Sequence, residues 1–243
     1  MEEQTTTVSG NTIVVGTNNT GKTFSVIMYA LFLASRFIDG VWKQVRPIIV
    51  LDHAKNHKSF PDFTVIPMEF LQKDLNIEEN PQFKKVRVIV DYNQIDEFCK
   101  YFVHFQRDSV VIFDDIGNYF TGNMTDSQIQ FLGTPKNNGN DYIHVFHNWR
   151  APAKKLLSVC SMIILKQDYE ALGKVDGLPF PKQIEVLQEE IIQENRNRPS
   201  GKKFATRIFD VMDYKVTVMD LNNQFQTYEG DKYFEGKLKK PKR

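Results

Sequence analysis

Eight residues near the start of the chain have the types and spacing of a phosphate-binding loop. They match the pattern G-x-x-x-x-G-K-[ST] at every fixed position: Gly16, Thr17, Asn18, Asn19, Thr20, Gly21, Lys22 and Thr23. Glycines lack a β-carbon and let the backbone approach a phosphate closely. In such a loop the lysine reaches the β- and γ-phosphates, and the threonine hydroxyl can bind Mg²⁺. The pattern therefore predicts nucleotide binding, with an ordinary glycine-rich loop as the alternative.

The segments on either side of this loop fit that chemistry. Residues 12–15 form a short apolar, β-branched run that predicts a strand, and residues 23–38 predict a helix. A strand, a glycine turn and a helix point successive backbone N–H groups and a helix N-terminus at one anion. The local context therefore supports a phosphate site.

An acidic pair follows the strongest strand signal of the chain. Four apolar residues, 110–113, lead into Asp114 and Asp115. The carboxyl ends of parallel strands form the ligand-binding edge of such a sheet. Asp114 is expected to bind Mg²⁺ directly or through water, and Asp115 to polarise a water as general base. Two aspartates that cap a turn are the alternative.

The distance between the loop and the acidic pair indicates the branch of P-loop proteins. Roughly 90 residues separate them, and the segment 86–90 predicts a further strand in between. This favours a RecA-like arrangement over kinases and GTPases, which usually place the two strands side by side. The chain has no Asn-Lys-x-Asp sequence for a guanine base. ATP is therefore the expected nucleotide.

Further polar residues follow the next predicted strand, over residues 142–146. His147 and Asn148 are candidates to sense the γ-phosphate, with a surface pair that closes a strand as the alternative. A multimeric ATPase also needs a cation delivered in trans to the transition state. Arg150 is the first candidate for this arginine finger, with a solvated loop arginine as its alternative, and Arg107 and Lys136 are the others.

The composition is that of an ordinary soluble α/β chain. The sequence has 243 residues, 41% of them hydrophobic and 25% charged, and no apolar run approaches the ~18 residues of a membrane span. The first residues lack the basic and apolar regions of a secretory signal. We therefore expect a protein that is not secreted and has no transmembrane segment of its own.

Residues 236–243 carry five positive charges, which suit either nucleic-acid binding or a disordered solubilising terminus.

Strand-like and helix-like segments alternate along most of the chain. This pattern predicts a mostly parallel central sheet flanked by helices. Residues 135–141 are rich in turn formers and predict a loop. Residues 181–194 predict an amphipathic helix, and 204–209 with 214–219 predict a hairpin or two edge strands. We therefore expect an ATPase core over 1–178, a C-terminal helix and strands over 179–235, and a basic tail over 236–243.

Three segments together resemble the FtsK–HerA superfamily of P-loop ATPases. They are the loop at 16–23 (Walker A), the Phe-Asp-Asp sequence at 113–115 (Walker B), and the strand with its polar tip over 143–152. Within that superfamily they look like the genome-packaging ATPases of membrane-containing viruses and the related Zot-like ATPases of filamentous phages. The resemblance covers about residues 12–168.

This resemblance implies a homo-oligomeric ring that binds ATP and Mg²⁺ and translocates DNA. It would contact DNA phosphates without sequence preference, through loops at 117–123 or 136–140 or through the basic tail. Its other partners would be capsid, portal-vertex or membrane proteins of a virion, in the host cytoplasm or the virion itself. Many members have Glu where this chain has Asp115, which leaves the identity of the base open. Zot-like proteins normally carry a transmembrane helix, so its absence favours packaging.

Three other functions remain open at this stage. A Zot-like ATPase of phage extrusion would need its membrane anchor from another subunit. A small-molecule kinase, with residues 196–203 as a lid, would be a monomer that ignores DNA. A nucleotide-dependent binding module would bind ATP without turning it over.

Overall fold

The computed structural model describes residues 10–52, 60–72, 75–114, 120, 124–133, 135–149, 152–169, 172, 175–199, 204–219 and 224–238. Its strands are β1 (Asn11–Val15), β2 (Ser35–Ile38), β3 (Val41–Gln44), β4 (Ile48–Asp52), β5 (Thr64–Ile66), β6 (Lys85–Ile89), β7 (Val110–Phe113), β8 (Asp141–Phe146), β9 (Cys160–Leu165), β10 (Thr206–Asp210), β11 (Lys215–Met219) and β12 (Phe225–Glu229). Its α-helices are α1 (Lys22–Ala34), α2 (Ile95–Phe105), α3 (Asp126–Gly133), α4 (Pro135–Asn138), α5 (Lys154–Val159), α6 (Pro181–Arg196) and α7 (Gly230–Phe234). Two compact units divide the chain, one built around residues 23–144 and the other around 12–22 with 145 onwards.

The first unit contains a parallel sheet. Its strands pair in the order β8-β7-β4-β6-β5, and every one of these pairings is parallel. On the far side of β8, the Tyr142 amide donates to the carbonyl of Gly10, directly before β1, at 2.9 Å. One strand therefore separates the start of β1 from β7, as in a RecA-like sheet. The expected α/β class with a mostly parallel sheet is confirmed.

Buried polar groups align the starts of three strands in this unit. Arg46, which precedes β4, forms a 2.7 Å ion pair with Asp141 at the start of β8. Its guanidinium also donates to the carbonyl of Ser109, just before β7, at 3.1 Å. A buried pair of this kind is stable only when its remaining hydrogen-bonding groups find partners. Arg46 thus fixes the register that places the carboxyl ends of these strands at one edge.

A buried histidine in β8 has a structural role. His144 Nε2 lies 3.0 Å from Asn11 Oδ1, and its ring stacks on Phe113 at 4.9 Å between centroids. Burial lowers the pKa of His144 to about 3, because an apolar environment disfavours the charged form. The ring is therefore neutral at physiological pH and belongs to the core.

The helix after the phosphate loop is shorter than the sequence predicts. The expected helix over 23–38 ends at Ala34, and residues 35–38 form β2, which pairs with β3 in a hairpin. The turn residues Asp39 and Gly40 have φ angles of 52° and 81°. Positive φ at both central residues is typical of a type I′ turn, which matches the twist of a two-residue hairpin. The Asp-Gly turn therefore overrides helix propensity in the preceding residues.

The second unit carries the C-terminal extension. Strands β9, β10, β11 and β12 follow one another in an antiparallel meander. The expected helix and hairpin are present as α6, β10 and β11, whereas β12 and α7 were not predicted. Strand β12 has the sequence FQTYE and is mostly exposed. It therefore lacks the alternation of apolar and polar residues by which strands are recognised.

Another difference concerns the predicted loop at 135–141. Residues 135–138 form the single helical turn α4, opened by Pro135, which suits a first helical position. Gly139, with a φ of 67°, ends the turn.

Among the helices in the described part of the chain, none combines the length and apolar character needed to cross a bilayer.

Candidate nucleotide-binding site

The predicted phosphate loop joins β1 to α1, as its chemistry requires. Strand β1 is fully buried, and the loop leaves it at Gly16. The Gly16 amide donates to the carbonyl of Phe146 at the end of β8, at 3.3 Å. The Thr17 amide donates to the carbonyl of Gln167, two residues after β9, at 2.9 Å. The loop is thus attached to the strand ends on both of its sides.

Gly16 and Gly21, the two glycines that the loop pattern requires, occupy positions that exclude a side chain. A β-carbon at Gly16 would lie 2.4 Å from Cβ of Lys166, and one at Gly21 would lie 2.9 Å from Cδ1 of Phe204. Gly21 also has a φ of 76°, a region that L-residues rarely adopt. The close approach of the surrounding chain, as well as the backbone conformation, therefore requires glycine.

The lysine of the loop folds back over it. Lys22 is 8% exposed, and its Nζ donates to the carbonyls of Gly16 and Thr17, the latter at 2.9 Å. Nζ also lies 3.2 Å from Nδ1 of His147. The ammonium group is therefore held in the concavity of the loop, where a phosphate group would be bound.

His147 and Asn148 follow β8 directly, as the sequence predicts. The exposed His147 reaches Lys22, Asn148 is half-buried, and the neighbouring Trp149 is 1% exposed. A buried tryptophan anchors the polypeptide immediately after the pair. The structure thus brings His147 to the phosphate loop, while the sensing of a γ-phosphate by either residue stays a prediction.

The acidic strand end belongs to the first unit. Strand β7 is completely buried, and the half-buried Asp114 follows it, with its amide 3.3 Å from the carbonyl of Leu51. Thr23 is half-buried in the first turn of α1. Asp115 lies outside the described residues. The metal-binding roles of Thr23 and Asp114 and the catalytic role of Asp115 therefore stay predictions.

The candidate arginine fingers have different surroundings. Arg107 donates through Nη1 to the carbonyls of Val103 and Gln106, at 3.0 and 3.1 Å. Basic side chains at this position satisfy the free carbonyls at a helix C-terminus. Lys136 is exposed on α4, and Arg150 lies outside the described residues. Arg107 thus has a local structural role at the end of α2.

The structure describes Phe120 of the first candidate DNA loop and all of the second. Of residues 117–123, the structure describes Phe120, which is buried. In the loop 136–140, the side chains of Asn138 and Asn140 donate to backbone carbonyls of the first unit at 3.2 Å each. The asparagines therefore fix this loop to its surroundings, and its exposed cation is Lys136.

A buried lysine beside the loop was not recognised in the sequence. Lys166 follows β9 directly, and its Nζ donates to Oγ1 of Thr206 at 2.5 Å. Burial, reinforced by the charge of Arg198, lowers the pKa of Lys166 to about 7, because desolvation disfavours the ammonium form. A polar residue directly after an apolar strand, the signal that singled out Asp114, was also present at Lys166.

A chain of buried amides connects the loop to α6. Gln167, whose carbonyl holds Thr17, accepts through Oε1 a hydrogen bond of 2.8 Å from Asn195 Nδ2. Asn195 Oδ1 in turn accepts from the amide of Ala205 at 3.1 Å. Networks with every member satisfied are rigid and specify one arrangement. The C-terminal extension thus supports the loop through Asn195.

Comparison with known proteins relates the chain to solved structures. No protein-family model and no curated protein sequence matches it. The genome packaging NTPase B204 from Sulfolobus turreted icosahedral virus 2, in complex with AMPPCP, matches with a TM-score of 0.56 and 12% identity, over 91% of this chain and 98% of that chain. The DNA-packaging ATPase B204 from Sulfolobus Turreted Icosahedral Virus matches with a TM-score of 0.53 and 11% identity, over the same shares.

The fold is that of a RecA-like P-loop NTPase. The two structures just described, which share it, are viral packaging NTPases, in agreement with the resemblance of the segments at 16–23, 113–115 and 143–152. The N-terminal domain of zonular occludens toxin from Neisseria meningitidis, at 13% identity over 67% of this chain and 78% of that chain, has a TM-score of 0.39, too low to indicate a shared fold. At such low identities the comparisons establish the fold alone.

Proposed function

We propose that this chain is an ATP-hydrolysing motor that translocates viral DNA into a capsid. The observation that carries the proposal is the complete phosphate loop, with Lys22 held over it by the carbonyl of Thr17 at 2.9 Å. B204, which has the same fold, is described as a genome packaging NTPase, and its structures contain AMPPCP and ATP-γS. The loop also leads directly into the N-terminus of α1, and a helix N-terminus favours binding of an anion such as a phosphate group.

Each site residue then has a defined task. Lys22 neutralises the β- and γ-phosphates, while Thr23 and Asp114 supply the oxygen ligands that Mg²⁺ prefers. The ion, when bound, stabilises negative charge on the phosphates. Asp115 accepts a proton from the attacking water, and His147 or Asn148 senses the γ-phosphate. Arg150 of a neighbouring copy is the proposed arginine finger.

DNA binding and assembly complete the proposal. A homo-oligomeric ring would hold DNA by phosphate contacts, with Lys136 and the basic residues 236–243 as the proposed cations. Such contacts are independent of sequence and weaken as salt rises, because bound cations displace counterions from the DNA. The ring would dock on capsid, portal-vertex or membrane proteins of a virion and act in the host cytoplasm or the virion.

The experiment compares ATP hydrolysis with and without DNA. We expect duplex DNA to raise kcat several-fold at low salt and less at high salt, since phosphate contacts are screened. A mass measurement with a non-hydrolysable ATP analogue should show an oligomer. A monomer whose turnover ignores DNA would exclude a translocating motor, and transfer of the γ-phosphate to a small acceptor would identify a kinase.

A further inference from the structure

An aromatic ring lies against the second glycine of the phosphate loop. A β-carbon at Gly21 would meet Cδ1 of Phe204 at 2.9 Å and Cε1 at 3.4 Å. Phe204 nevertheless remains 40% exposed. The ring therefore contacts the loop on one side and presents surface to solvent on another.

The backbone beneath this ring is firmly held. The carbonyl of Phe204 accepts from Lys166 Nζ at 3.4 Å and from the hydroxyl of Thr206 at 2.9 Å. The next residue, Ala205, is fully buried and donates to Asn195 Oδ1 at 3.1 Å. Phe204 is thus the outward-facing side chain of a fixed segment. A group that is already ordered loses little conformational entropy when a ligand packs against it.

We infer that Phe204 is the platform on which the base of the bound nucleotide stacks. This inference rests on the proposed nucleotide site, since it places the base beside the loop that binds the phosphates. A flat aromatic ring stacks on the π-face of any base. Purines, with the larger face, should benefit more than pyrimidines. The ligand class is therefore a purine nucleoside triphosphate.

The alternative role of Phe204 is purely structural, as packing that closes the loop. The two roles differ in one measurable respect, since stacking acts on a base and packing acts on the phosphate loop itself. Inorganic tripolyphosphate carries the phosphates without a base. It therefore separates the two contributions.

The test measures the Kd of ATP and of tripolyphosphate, each with Mg²⁺, for the wild type and four variants. Phe204→Ala should weaken ATP binding about 5- to 150-fold and leave tripolyphosphate binding unchanged. Phe204→Trp should restore ATP affinity. The control Phe225→Ala removes a 63% exposed aromatic of β12 in the same unit and should change neither ligand. Lys22→Ala should weaken the binding of both ligands.

Each result has one meaning. Equal weakening of both ligands by Phe204→Ala would show a packing role and overturn the inference. If Phe204→Ala has no effect on either Kd while Lys22→Ala weakens the binding of both ligands, Phe204 is not the base platform, but the proposed nucleotide site still holds. No effect of Lys22→Ala on either ligand would reject the proposed site itself.

A second observation concerns the outer face of α1. Between Thr23 and Ala34 the helix contains no charged residue, and its three exposed positions are Phe24, Met28 and Phe32. A helix that is apolar all round is normally buried on every side. The solvent-facing side of α1 therefore lacks the charged residues that a permanently exposed surface would have.

The adjacent hairpin extends this apolar face. Phe37, Val41 and Trp42 are each more than half exposed. The ring of Trp42 lies 6.2 Å from that of Phe32 and 5.7 Å from that of Phe37. We call these six residues, three on α1 and three on the hairpin, the α1–hairpin surface. Its two parts form one continuous patch.

The size of the patch approaches that of a protein interface. Aromatic side chains have surfaces of about 150–250 Å² each, so four of them, more than half exposed, present about 400–600 Å². This is at the upper end for the largest patch on a monomer. A stable interface buries about 800 Å² on each partner. With Met28, Val41 and a polar rim, the α1–hairpin surface can supply that area.

The geometry points to a second copy of this chain as the occupant of the α1–hairpin surface. This inference rests on the proposed ring, and the surface begins at Phe24, directly after Thr23 of the phosphate loop. The area that the surface can supply also matches what each partner of a stable interface buries. In a ring the two contacting faces differ, so the neighbour would present another part of its surface.

The test is the molar mass in solution with an ATP analogue. Trp42→Glu and, separately, Phe37→Glu should convert the oligomer to a monomer, because a buried unpaired charge opposes association. Phe225→Glu changes an equally exposed aromatic outside the surface and should leave the mass unchanged. Circular dichroism checks that all three variants are folded. Mixing each protein with anionic lipid vesicles tests a membrane as the occupant.

The possible results distinguish an error in the proposed surface from an error in the proposed ring. If the wild type is an oligomer and neither Trp42→Glu nor Phe37→Glu lowers its molar mass, the α1–hairpin surface is not the interface, but the proposed ring is still supported. A wild type that is monomeric at every concentration would reject the ring. Vesicle binding that Trp42→Glu abolishes, without any change of mass, would identify a membrane as the occupant and overturn the inference.

Discussion

Replacement of Lys22 by alanine is expected to lower kcat/KM for ATP by at least about 10²–10³-fold, the usual effect of removing one group that stabilises transition-state charge. Lys22 is 8% exposed, and its Nζ lies within the loop, 2.9 Å from the carbonyl of Thr17. Alanine removes this positive charge without adding bulk. Phosphate release measured at saturating and subsaturating ATP gives kcat and KM separately.

A matched lysine in the same unit controls for the loss of charge. Lys182 is exposed near the start of α6, so Lys182→Ala should turn over ATP at the wild-type rate. Lys22→Ala should also keep the wild-type circular dichroism spectrum, because β1 and α1 on either side of the loop are unchanged. Undiminished hydrolysis by a folded Lys22→Ala protein would reject the site assignment.

The substitution Asp115→Asn is expected to separate binding from chemistry. Asparagine keeps the size of the side chain and removes its basicity, so a general base in this position loses its function. We expect ATP to bind with a Kd near that of the wild type and to remain intact, with turnover reduced about 10²–10⁴-fold. Filter binding of labelled ATP and single-turnover hydrolysis measure the two quantities.

Asp126→Asn provides the matched control for this experiment, because Asp126 is an exposed aspartate in the first turn of α3. Its turnover should equal that of the wild type. If the chain were instead a binding module without hydrolysis, both substitutions would leave the measured rates alike. Wild-type hydrolysis by Asp115→Asn in an active ATPase would assign the base elsewhere.

The sequence by itself determined the loop, several strands of the parallel sheet and the class of fold. Gly16 and Lys22 were identified because the pattern is local and every fixed position lies within eight residues. Strands such as β1 and β7 were predicted because strands covered on both faces are continuous apolar runs. The spacing between the loop and Asp114 indicated a RecA-like strand order. The structure has this order, because β8 pairs with β7 on one side and its Tyr142 bonds to Gly10, directly before β1, on the other.

Two elements were predicted wrongly or missed, the end of the helix after the phosphate loop and strand β12. The Asp39–Gly40 turn that ends the predicted helix early was a recognisable hairpin signal, but the apolar residues before it continued the helical pattern. Strand β12 is exposed and has no hydrophobic periodicity, so it exists by pairing with β11. Both the β2–β3 hairpin and strand β12 are formed by hydrogen bonds between backbones. Such pairing is only indirectly visible in the pattern of side chains.

Only the tertiary structure decided which residues meet at the loop. His147 reaches Lys22 across 125 positions of sequence, and Phe204 lies on Gly21 from the far end of the chain. Lys166 packs against Gly16 because β9 lies beside β1, as the bond from its amide to Val15 shows. These contacts follow from strand order and long-range packing, which no local pattern encodes. The sequence thus specified the phosphate loop, and the fold supplied the side chains that surround it.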